Sequence, residues 1–434
     1  MKNEKTNCKI KTSFFTFFFC FLYVLTAFSC SSTPLPSGGQ VNIPEDFLGI
    51  VHAAGTPNPI EEQLLKEMEC KWVLSTFYWH RIETEIGVYN FNNYDVFVDY
   101  NKKQGRKIVG VLGYGSDFSN PKKKKIFRIT KDSMPLFLRF VEETVRRYKG
   151  KVDVWSIWNE PNITFWSGTD KEFYEMTKLA AEKIRETDPD AYIIGGVFWR
   201  SPSGFIKKMQ KAGSFTNLDA LAFHPYAVNP SDCMNVYDKF KKILSGFNYS
   251  GPIWITEMGY PTGGWYPSKV FLNKYPSFIV KTITGAAARG ARALLWYEME
   301  DAIEKGKSSL DSEDHFGLTH KNFERKAGSW AFELCARYLP GSRYVPDLPQ
   351  RDNIPSNIIS FCFMNGISGN NTLVLWNDKK SGLKIEIILG TSALLHDIST
   401  GQNTQLTVNT SVNITDKPII ITWQGENLPR IEKK

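Results

Sequence analysis

Residues 154–162 read VWSIWNEPN, and the prediction of the fold starts from this stretch. An apolar run ends at Asn159, and an acid, Glu160, follows directly before a proline. The run predicts a buried strand, and the polar residues after it mark the end of that strand. A carboxylate at such a position is either a turn residue or a reactive group, and a reactive carboxylate would need a partner.

Seven further apolar runs of similar length occur along the chain, and helical patterns separate them. The eight runs cover residues 47–55, 71–79, 107–115, 152–160, 192–199, 218–226, 252–260 and 291–299. They are continuous rather than alternating, which is typical of parallel strands that are covered on both faces. Eight successive strand–helix units predict an α/β protein with a (β/α)8 TIM barrel. A doubly wound open sheet is the alternative, but no phosphate-binding GxGxxG turn follows the first run.

Capping signals predict where two of the helices begin. Asn58 precedes Pro59, and Glu61 stands three residues after Asn58, which is the pattern of a capped helix start. Thr169 and Glu172 form a second pair of this kind, a capping box. Each helix follows a predicted strand, as the barrel requires.

The sequence pattern changes beyond residue 339. Five short β-branched or alternating runs, separated by Gly, Asn and Asp, predict a small C-terminal antiparallel β-sandwich. We therefore divide residues 41–434 into a (β/α)8 barrel at 41–339 and a β-sandwich accessory domain at 340–434.

The first 30 residues have the features of an export signal. Four lysines precede an apolar stretch at 13–28 that is shorter than most membrane-spanning helices. Small residues precede Cys30, and a Ser/Pro/Gly-rich linker at 31–40 follows it, which resembles a bacterial lipoprotein cleavage site. The sequence predicts a signal peptide at 1–30, export, and a lipid anchor on Cys30 in the membrane of the cell envelope. A permanent membrane helix and ordinary secretion with an unmodified Cys30 are the alternatives.

The composition limits the kinds of partner and cofactor. The formal charge is +8, and the one basic run, at 122–125, is interpreted as a solvated surface without any nucleic-acid motif. The six histidines have no ligand spacing, and the cysteines beyond Cys30 lack a CxxC pair. We expect no metal, no cofactor and no nucleic-acid partner.

The predicted barrel narrows the search for the partner of Glu160. Reactive side chains of such barrels lie at the C-terminal ends of the strands. The acids near those ends are Glu160, Glu257, Glu298 and Glu300. Barrel closure brings the ends of the fourth and seventh strands to one opening, so Glu160 and Glu257 can face a common space. Glu257 is the predicted partner.

Three motifs resemble those of a known enzyme class. They are WNEPN at 158–162, FHPY at 223–226 and WITEMGYPT at 254–262, and they are similar to motifs of clan A glycoside hydrolases, most of all family 39. The resemblance covers roughly residues 47–339. It implies a retaining glycosidase that hydrolyses O-glycosidic bonds of an oligo- or polysaccharide, with Glu160 as acid/base and Glu257 as nucleophile.

The chemistry of glycoside hydrolysis is consistent with these roles. One group must protonate the leaving oxygen, and an anionic group must act at the anomeric carbon. Carboxyl groups about 5–5.5 Å apart give a covalent intermediate and retention of configuration. We expect Glu257 to be ionised and Glu160 to be protonated, because a neighbouring negative charge raises the pKa of Glu160.

The resemblance also implies residues that bind the carbohydrate substrate. Asn159 is expected to contact the 2-hydroxyl of the reacting sugar, Trp296 to lie beneath that sugar, and Tyr226 to orient Glu257. The full set of candidate substrate-binding residues is Asn159, His224, Tyr226, Trp296, Trp166 and His52. Packing is the alternative for Tyr226 and His52. One residue departs from the clan, since Leu74 stands where an arginine usually supports the nucleophile.

Two alternatives stay open at this point. The first is a non-catalytic carbohydrate-binding envelope lipoprotein on a hydrolase-like barrel, although both glutamates are present. The second concerns the mode of action of an enzyme, which could remove terminal sugars or cut within a chain. The long loop at 300–315 bears on that choice, because it could either block a cleft or line one.

Overall fold

The computed structural model of the chain describes residues 39–52, 58–119, 126–264, 268–307, 309–379 and 381–433. The predicted signal peptide with Cys30, most of the predicted linker, the basic run at 122–125 and Trp265 lie outside these residues. Among the helices that are described, none is both long and apolar enough to cross a bilayer.

Eight parallel strands form a closed barrel, as the continuous apolar runs predict. The first strand of the chain, β1 (Val41–Asn42), belongs to another sheet, and the strands β4 (Glu83–Glu85) and β5 (Val88–Tyr89) form a hairpin beside the barrel. The barrel strands are β2 (Leu48–Val51), β3 (Trp72–Tyr78), β6 (Lys107–Gly113), β7 (Val154–Ile157), β8 (Ile193–Trp199), β9 (Ala220–His224), β10 (Ile253–Met258) and β11 (Ala293–Trp296). Pairing of β11 with β2 closes the barrel.

At least one helix follows each barrel strand and covers the outside of the barrel. The helices are α1 (Pro59–Glu67), α2 (Trp79–Ile82), α3 (Asn92–Lys103), α4 (Met134–Arg147), α5 (Asp170–Thr187), α6 (Ser203–Lys211), α7 (Pro230–Ser245), α8 (Ser268–Ala288) and α9 (Ala327–Tyr338). A short 3-10 helix, Ser312–His315, lies within the long loop after β11. The prediction of a (β/α)8 barrel is confirmed.

One of the two predicted capping boxes is confirmed and the other is wrong. The Thr169 hydroxyl accepts a hydrogen bond from the backbone N–H of Glu172, and the Glu172 carboxylate accepts one from the backbone N–H of Thr169. Asn58 caps α1 by accepting from Ile60, but the Glu61 carboxylate does not return to the cap. It lies 2.8 Å from Nδ1 of His52 instead.

The C-terminal strands form two stacked sheets. The strands are β12 (Arg343–Tyr344), β13 (Gln350–Asp352), β14 (Ile358–Met364), β15 (Asn370–Asn377), β16 (Leu383–Ile388), β17 (Ala393–His396), β18 (Asn403–Leu406), β19 (Asn409–Ile414), β20 (Ile419–Gln424) and β21 (Arg430–Lys433). One sheet has seven strands in the order β1-β12-β14-β15-β20-β17-β18, and the other has four in the order β13-β21-β16-β19.

Two details differ from the expected antiparallel sandwich at 340–434. The strand β1, which we assigned to the barrel segment, pairs with β12 and forms an edge of the seven-stranded sheet. The strands β13 and β21 pair in parallel, whereas the other strand pairs of the two sheets are antiparallel. A two-residue strand carries too little sequence pattern to predict which sheet it joins.

The central strands of the seven-stranded sheet are buried on both faces. Along β15, the side chains of Leu373 and Leu375 lie in the core between the two sheets. The alternate residues, Val374 and Trp376, lie in the same apolar core as the barrel and its helices. The Trp376 ring also lies beneath the Lys281 ammonium of α8, 5.2 Å from its centroid. Successive residues of a strand point to opposite faces, so one strand serves both cores.

We expect Trp376→Ala to destabilise the whole protein. The Trp376 side chain is completely buried at the junction with the barrel, and its loss leaves a cavity that typically costs about 3–5 kcal/mol. In calorimetry the variant should show one transition at a lower Tm. Ile367→Ala is the matched control, because Ile367 is 91% exposed and its removal should change stability by less than about 0.5 kcal/mol. Two separate transitions, with only the smaller one shifted, would contradict a common core.

Candidate active site

The barrel brings Glu160 and Glu257 together at the C-terminal ends of its strands. Glu160 follows β7, and Glu257 is the penultimate residue of β10. One carboxylate oxygen of each residue and one ring nitrogen of His224, at the end of β9, lie within 4.8 Å of one another. The partner of Glu160 predicted from the sequence is therefore its neighbour in space.

The backbone around Glu160 is strained. Trp158 and Glu160 have φ angles of 66° and 42°, in the left-handed region that residues other than glycine rarely adopt. Each such residue costs of the order of 1–3 kcal/mol, and residues of this kind cluster at functional sites. Two hydrogen bonds hold the conformation: the N–H of Glu160 donates to the carbonyl of Val197, and Nε1 of Trp158 donates to the carbonyl of Phe165.

A β-bulge directs Glu257 toward the opening. The register between β10 and β11 shifts between Ile255 and Met258, so the strict alternation of side chains is interrupted there. As a result, two consecutive residues of β10, Thr256 and Glu257, both approach the ring of His224.

His224 lies beside Glu160 rather than in the open part of the site. Its Nδ1 is 2.6 Å from Oε1 of Glu160, and its Nε2 is 3.0 Å from the hydroxyl of Thr256. The side chain is only 1% exposed, and both of its nitrogens are engaged. The expectation that His224 contacts substrate is therefore corrected: it is a positioning residue for Glu160, because burial leaves no free ring atom for a ligand.

Glu257 is held by a tyrosine in place of an arginine. The hydroxyl of Tyr226 donates a hydrogen bond to Oε1 of Glu257, at 2.6 Å, which is the contact expected from the sequence. Leu74, where the family resemblance implies an arginine, is a buried apolar residue of the barrel interior. Among the described residues, the cationic group nearest to Glu257 is His224, at 4.0 Å, and it carries charge only when protonated.

Burial dominates the electrostatics of the pair. It raises the pKa of Glu160 to about 8 and that of Glu257 to about 7. A positive charge on His224 and the Tyr226 hydrogen bond favour ionised Glu257, whereas the charge of Glu160 opposes it. Burial lowers the pKa of His224, which keeps the imidazole neutral. The high pKa of Glu160 thus arises from desolvation more than from the neighbouring charge that we expected.

Asn159 lies at the edge of the same site. It is half-buried directly before Glu160, and its side chain hydrogen-bonds the buried Tyr114. This contact fixes the amide of Asn159 at the end of β7, where a contact with a sugar hydroxyl is expected. That contact stays a prediction.

Trp296 does not line the opening, and its neighbour Tyr297 does. Trp296 is fully buried on the outer side of β11, where its Nε1 donates to the hydroxyl of Tyr275 on α8. Alternation along the strand places Leu295 in the barrel interior and Trp296 outside it. Tyr297 lines a cavity at the opening and packs against Phe316. The expectation that Trp296 lies beneath the reacting sugar is therefore corrected, because its ring is fully buried between β11 and α8.

Trp166 is likewise a packing residue. Its side chain is 7% exposed, its ring lies edge-on against Trp158 and Phe173, and its Nε1 donates to the carbonyl of Thr169. The expectation that it binds substrate is corrected on these contacts. Trp166 instead supports the strained backbone that carries Glu160.

His52 occupies an intermediate position. It stacks on Phe97, and its Nδ1 is paired with Glu61. It also lines the cavity that Tyr297 lines, beside the end of β2. The sequence left packing and substrate contact open for this residue, and the structure supplies both a packing partner and access to the cavity.

Two further acids belong to the site. Glu298 lines the cavity beside Tyr297, and Glu313 accepts a hydrogen bond from the Tyr297 hydroxyl at 3.0 Å. Burial, together with nearby carboxylates, raises the pKa of Glu298 to about 8 and that of Glu313 to about 7. Glu313 was not predicted, because it lies in the long loop after β11. The only sequence signal was the acidic composition of that loop.

Glu160, His224 and Glu257 could also ligate a cation, since their nearest atoms lie within 4.8 Å of one another. Imidazole and carboxylate groups are common metal ligands. Here a metal would have to displace the hydrogen bond that His224 makes with Glu160 at 2.6 Å. The expectation that the protein uses no metal stays a prediction.

Comparison with known proteins gives a similarity in sequence to a glycosidase. No family model matches the chain. The chain is similar to a beta-xylosidase of Caldicellulosiruptor saccharolyticus, with 24% identity over 287 residues. The match covers 59% of this chain and 58% of that protein, so the chain spans somewhat more than half the length of this relative.

Solved structures give similarities over most of the fold. A family 39 glycoside hydrolase from Bacteroides cellulosilyticus WH2 has a TM-score of 0.72 and 20% identity, covering 88% of this chain and 81% of that one. A family 39 beta-xylosidase from Caulobacter crescentus has a TM-score of 0.64 and 14% identity, covering 90% and 99%. A family 30 endoxylanase from Clostridium papyrosolvens has a TM-score of 0.60 and 13% identity, covering 91% and 100%. The resemblance in the motifs is thereby confirmed: the chain has the fold of the clan A glycoside hydrolases of families 39 and 30.

Proposed function

We propose that the protein is a retaining glycosidase that hydrolyses O-glycosidic bonds by double displacement. The observation that carries this proposal is the approach of a Glu160 oxygen and a Glu257 oxygen to within 4.8 Å. Retaining enzymes place their two carboxyl groups about 5–5.5 Å apart, whereas inverting enzymes need about 6.5–9.5 Å to admit a water. The fold shared with glycoside hydrolases supports the same conclusion.

Glu257 acts as the nucleophile. It has the lower pKa of the pair, about 7 against about 8, so it loses its proton first. Tyr226 donates to Oε1 of Glu257 and leaves Oε2 to attack the anomeric carbon. The C–O bond to the leaving group breaks as the ester bond to Glu257 forms.

Glu160 supplies the proton and later removes one. In the first step its proton passes to the leaving oxygen, which prevents the departure of a free alkoxide. After Glu257 is esterified, ionised Glu160 takes a proton from water, and that water releases the sugar with its original configuration. Burial raises the pKa of Glu160, so this residue is protonated when the substrate binds and can act as the acid.

A hydrogen bond from neutral His224 gives the two carboxyl oxygens of Glu160 different roles. When Nδ1 carries the imidazole proton, it donates to Oε1 of Glu160 at 2.6 Å, and Nε2 accepts from the Thr256 hydroxyl. The transferable proton of Glu160 then belongs on Oε2. The same hydrogen bond stabilises the carboxylate after the transfer, so the ring needs no rearrangement between the steps.

The substrate is an oligo- or polysaccharide. Several relatives are described as beta-xylosidases or xylanases, which makes β-linked xylosides the first compounds to test. The alternative of a carbohydrate-binding protein without activity requires that the pair of carboxylates be inert. Turnover of any glycoside that depends on Glu257 decides between the two.

The pH dependence of kcat/KM should be bell-shaped and narrow. The acidic limb follows ionisation of Glu257 near pH 7, and the alkaline limb follows loss of the Glu160 proton near pH 8. In Glu160→Gln, assayed with an activated aryl glycoside, the alkaline limb should disappear. The acidic limb should remain, because Glu257 ionises while Glu160 is still protonated and uncharged, as glutamine is. An unchanged alkaline limb would contradict the role of Glu160.

The two glutamates should give opposite products with azide. Glu160→Ala should lose about 10²–10⁴-fold in rate on natural linkages but retain glycosylation by activated aryl glycosides. Added azide should then attack the covalent intermediate and give a glycosyl azide of retained configuration. Glu257→Ala removes the covalent route, so azide attacks the substrate directly and gives the inverted product.

Proton NMR of the glycosyl azides distinguishes the two anomers. Wild-type enzyme with azide and each variant without azide are the controls. The same anomer from both variants, or wild-type turnover in either, would refute the division of roles between Glu160 and Glu257.

We also propose that the protein is exported and anchored to the cell envelope through a lipid on Cys30. The lysines, the apolar stretch at 13–28 and the polar linker after Cys30 support this location. Stable anchoring requires two or more acyl chains. In detergent phase partitioning, wild-type protein should enter the detergent phase and Cys30→Ala the aqueous phase. Recovery of both in the aqueous phase would count against the anchor.

A further inference from the structure

A second feature of the barrel opening is a cavity of about 480 Å³ beside the two carboxylates. It lies at the C-terminal ends of β11, β2 and β3 and extends over the segment from Asn90 to Tyr94. Its volume is within the range of small-molecule sites, about 300–1,000 Å³. Glu160 and Glu257 do not line it, so it is a space adjoining the reactive centre.

The lining has the chemistry that binds sugars. Aromatic rings of Tyr78 and Tyr297 offer apolar surfaces to the C–H faces of a pyranose ring. Amide and hydroxyl groups provide donors and acceptors for its hydroxyls, and they come from Asn90, Asn92, Asn93, Ser75 and Thr76.

One cation, Arg81, also lines this cavity. Its guanidinium lies 4.5 Å from the centroid of the Tyr78 ring, in the helix α2 directly after β3. A guanidinium that stacks on a ring keeps its N–H groups available around its edge. Arg81 forms no ion pair with any carboxylate among the described residues. By contrast, Arg106, Arg289 and Arg292 of the same barrel are all paired.

The opposite end of the cavity is acidic. Glu298 lines it there, and the charges of Glu257 and Glu313 act on Glu298. Glu298 follows β11 and Arg81 follows β3. In the barrel, the strand β2 lies between β11 and β3. Burial and the nearby carboxylates raise the pKa of Glu298, which means that a further negative charge is disfavoured at this end, including one on the reacting sugar. Among the lining residues, Arg81 carries the permanent positive charge, so a negatively charged group is favoured at its end of the cavity.

The position of the cavity also shows which part of a substrate it would hold. The leaving group must lie on the side of Glu160, which follows β7 and protonates it. The cavity adjoins β11, which pairs with β10, the strand that carries Glu257. On the other side of the cavity, β6 lies between β3 and β7. It therefore lies on the side of the sugar that becomes attached to Glu257.

We propose that this cavity binds the sugar next to the reacting one, on the retained side, and that Arg81 recognises a carboxylate or sulfate group on it. This inference rests on the proposed function, since the proton donor defines the retained side. The substrate is then an anionic oligo- or polysaccharide whose reacting sugar is neutral. At least two sugar residues precede the cleaved bond.

The test measures binding by titration calorimetry with the full chain carrying Glu160→Gln, so that probes are not consumed. Two matched pairs of probes are used. The first is glucuronoxylan oligosaccharides before and after reduction of their carboxyl groups to alcohols, and the second is sulfated galactan oligosaccharides before and after desulfation. The two pairs distinguish a carboxylate from a sulfate as the recognised group.

The expected result is that one anionic probe binds about tenfold or more tightly than its neutral counterpart. Arg81→Gln should remove that difference, and Arg81→Lys should restore part of it, because lysine keeps the charge but not the paired donors. Arg146→Gln is the control, since Arg146 lies in the last turn of α4 and is paired with Glu142 and Glu143. With Arg146→Gln added, the preference for the anionic probe should equal that of the protein that carries Glu160→Gln alone.

Equal binding of neutral and anionic members in both pairs would overturn the proposal. So would a preference that persists in Arg81→Gln, or failure of both anionic probes to bind at millimolar concentration. Turnover by wild-type enzyme is scored separately. A protein that binds through Arg81 but cleaves no glycoside would refute the hydrolase and retain the anionic-sugar site, whereas a hydrolase indifferent to Arg81 would do the reverse.

Discussion

Closure of the barrel is the constraint on which the site depends. The last strand pairs with the first through Leu294–Leu48, Leu295–Gly49 and Trp296–Ile50, and no strand edge is left within the barrel. Closure forces the C-terminal ends of the eight strands around one opening. Residues as distant in sequence as Glu160 and Glu257 are then brought to within 4.8 Å without a direct bond between them.

Confinement of two carboxylates in a desolvated space has an electrostatic consequence. Both pKa values rise, and small differences in hydrogen bonding decide which group ionises first. The Tyr226 hydroxyl favours the anion of Glu257, while His224 holds one oxygen of Glu160. Because Leu74 replaces the usual arginine, no permanent positive charge among the described residues lowers the pKa of Glu257. We therefore expect this pair to work at a higher pH than one supported by arginine.

The sequence was sufficient for features that repeat or that follow from strand topology. Eight continuous apolar runs identified the barrel strands, and the rule that strand ends converge identified Glu257 as the partner of Glu160. The contact between Tyr226 and Glu257 also follows from the position of the HPY segment at the end of β9.

Features that depend on which of two adjacent residues faces the barrel interior could not be predicted from the sequence in this way. The role of Trp296 was implied by the family resemblance, and the end of a continuous apolar run does not show which residues face inward. The bulge in β10, which turns Thr256 and Glu257 to the same side, has no glycine or proline to signal it. His224 and Trp166 proved to be buried supports, because aromatic and imidazole groups suit both packing and sugar binding. Glu313 is brought to the site by a loop, whose path sequence patterns do not determine.

Isolation of the covalent intermediate tests the central claim most directly. An activated 2-deoxy-2-fluoro glycoside of a sugar that the enzyme hydrolyses should react quickly and then stall, since fluorine destabilises the charge that develops at the anomeric carbon. Mass spectrometry of the digested protein should then locate one glycosyl group on Glu257, and Glu257→Gln should remain unlabelled. Labelling of Glu298 or Glu313, or active enzyme that turns over the parent glycoside but accumulates no adduct, would contradict the account.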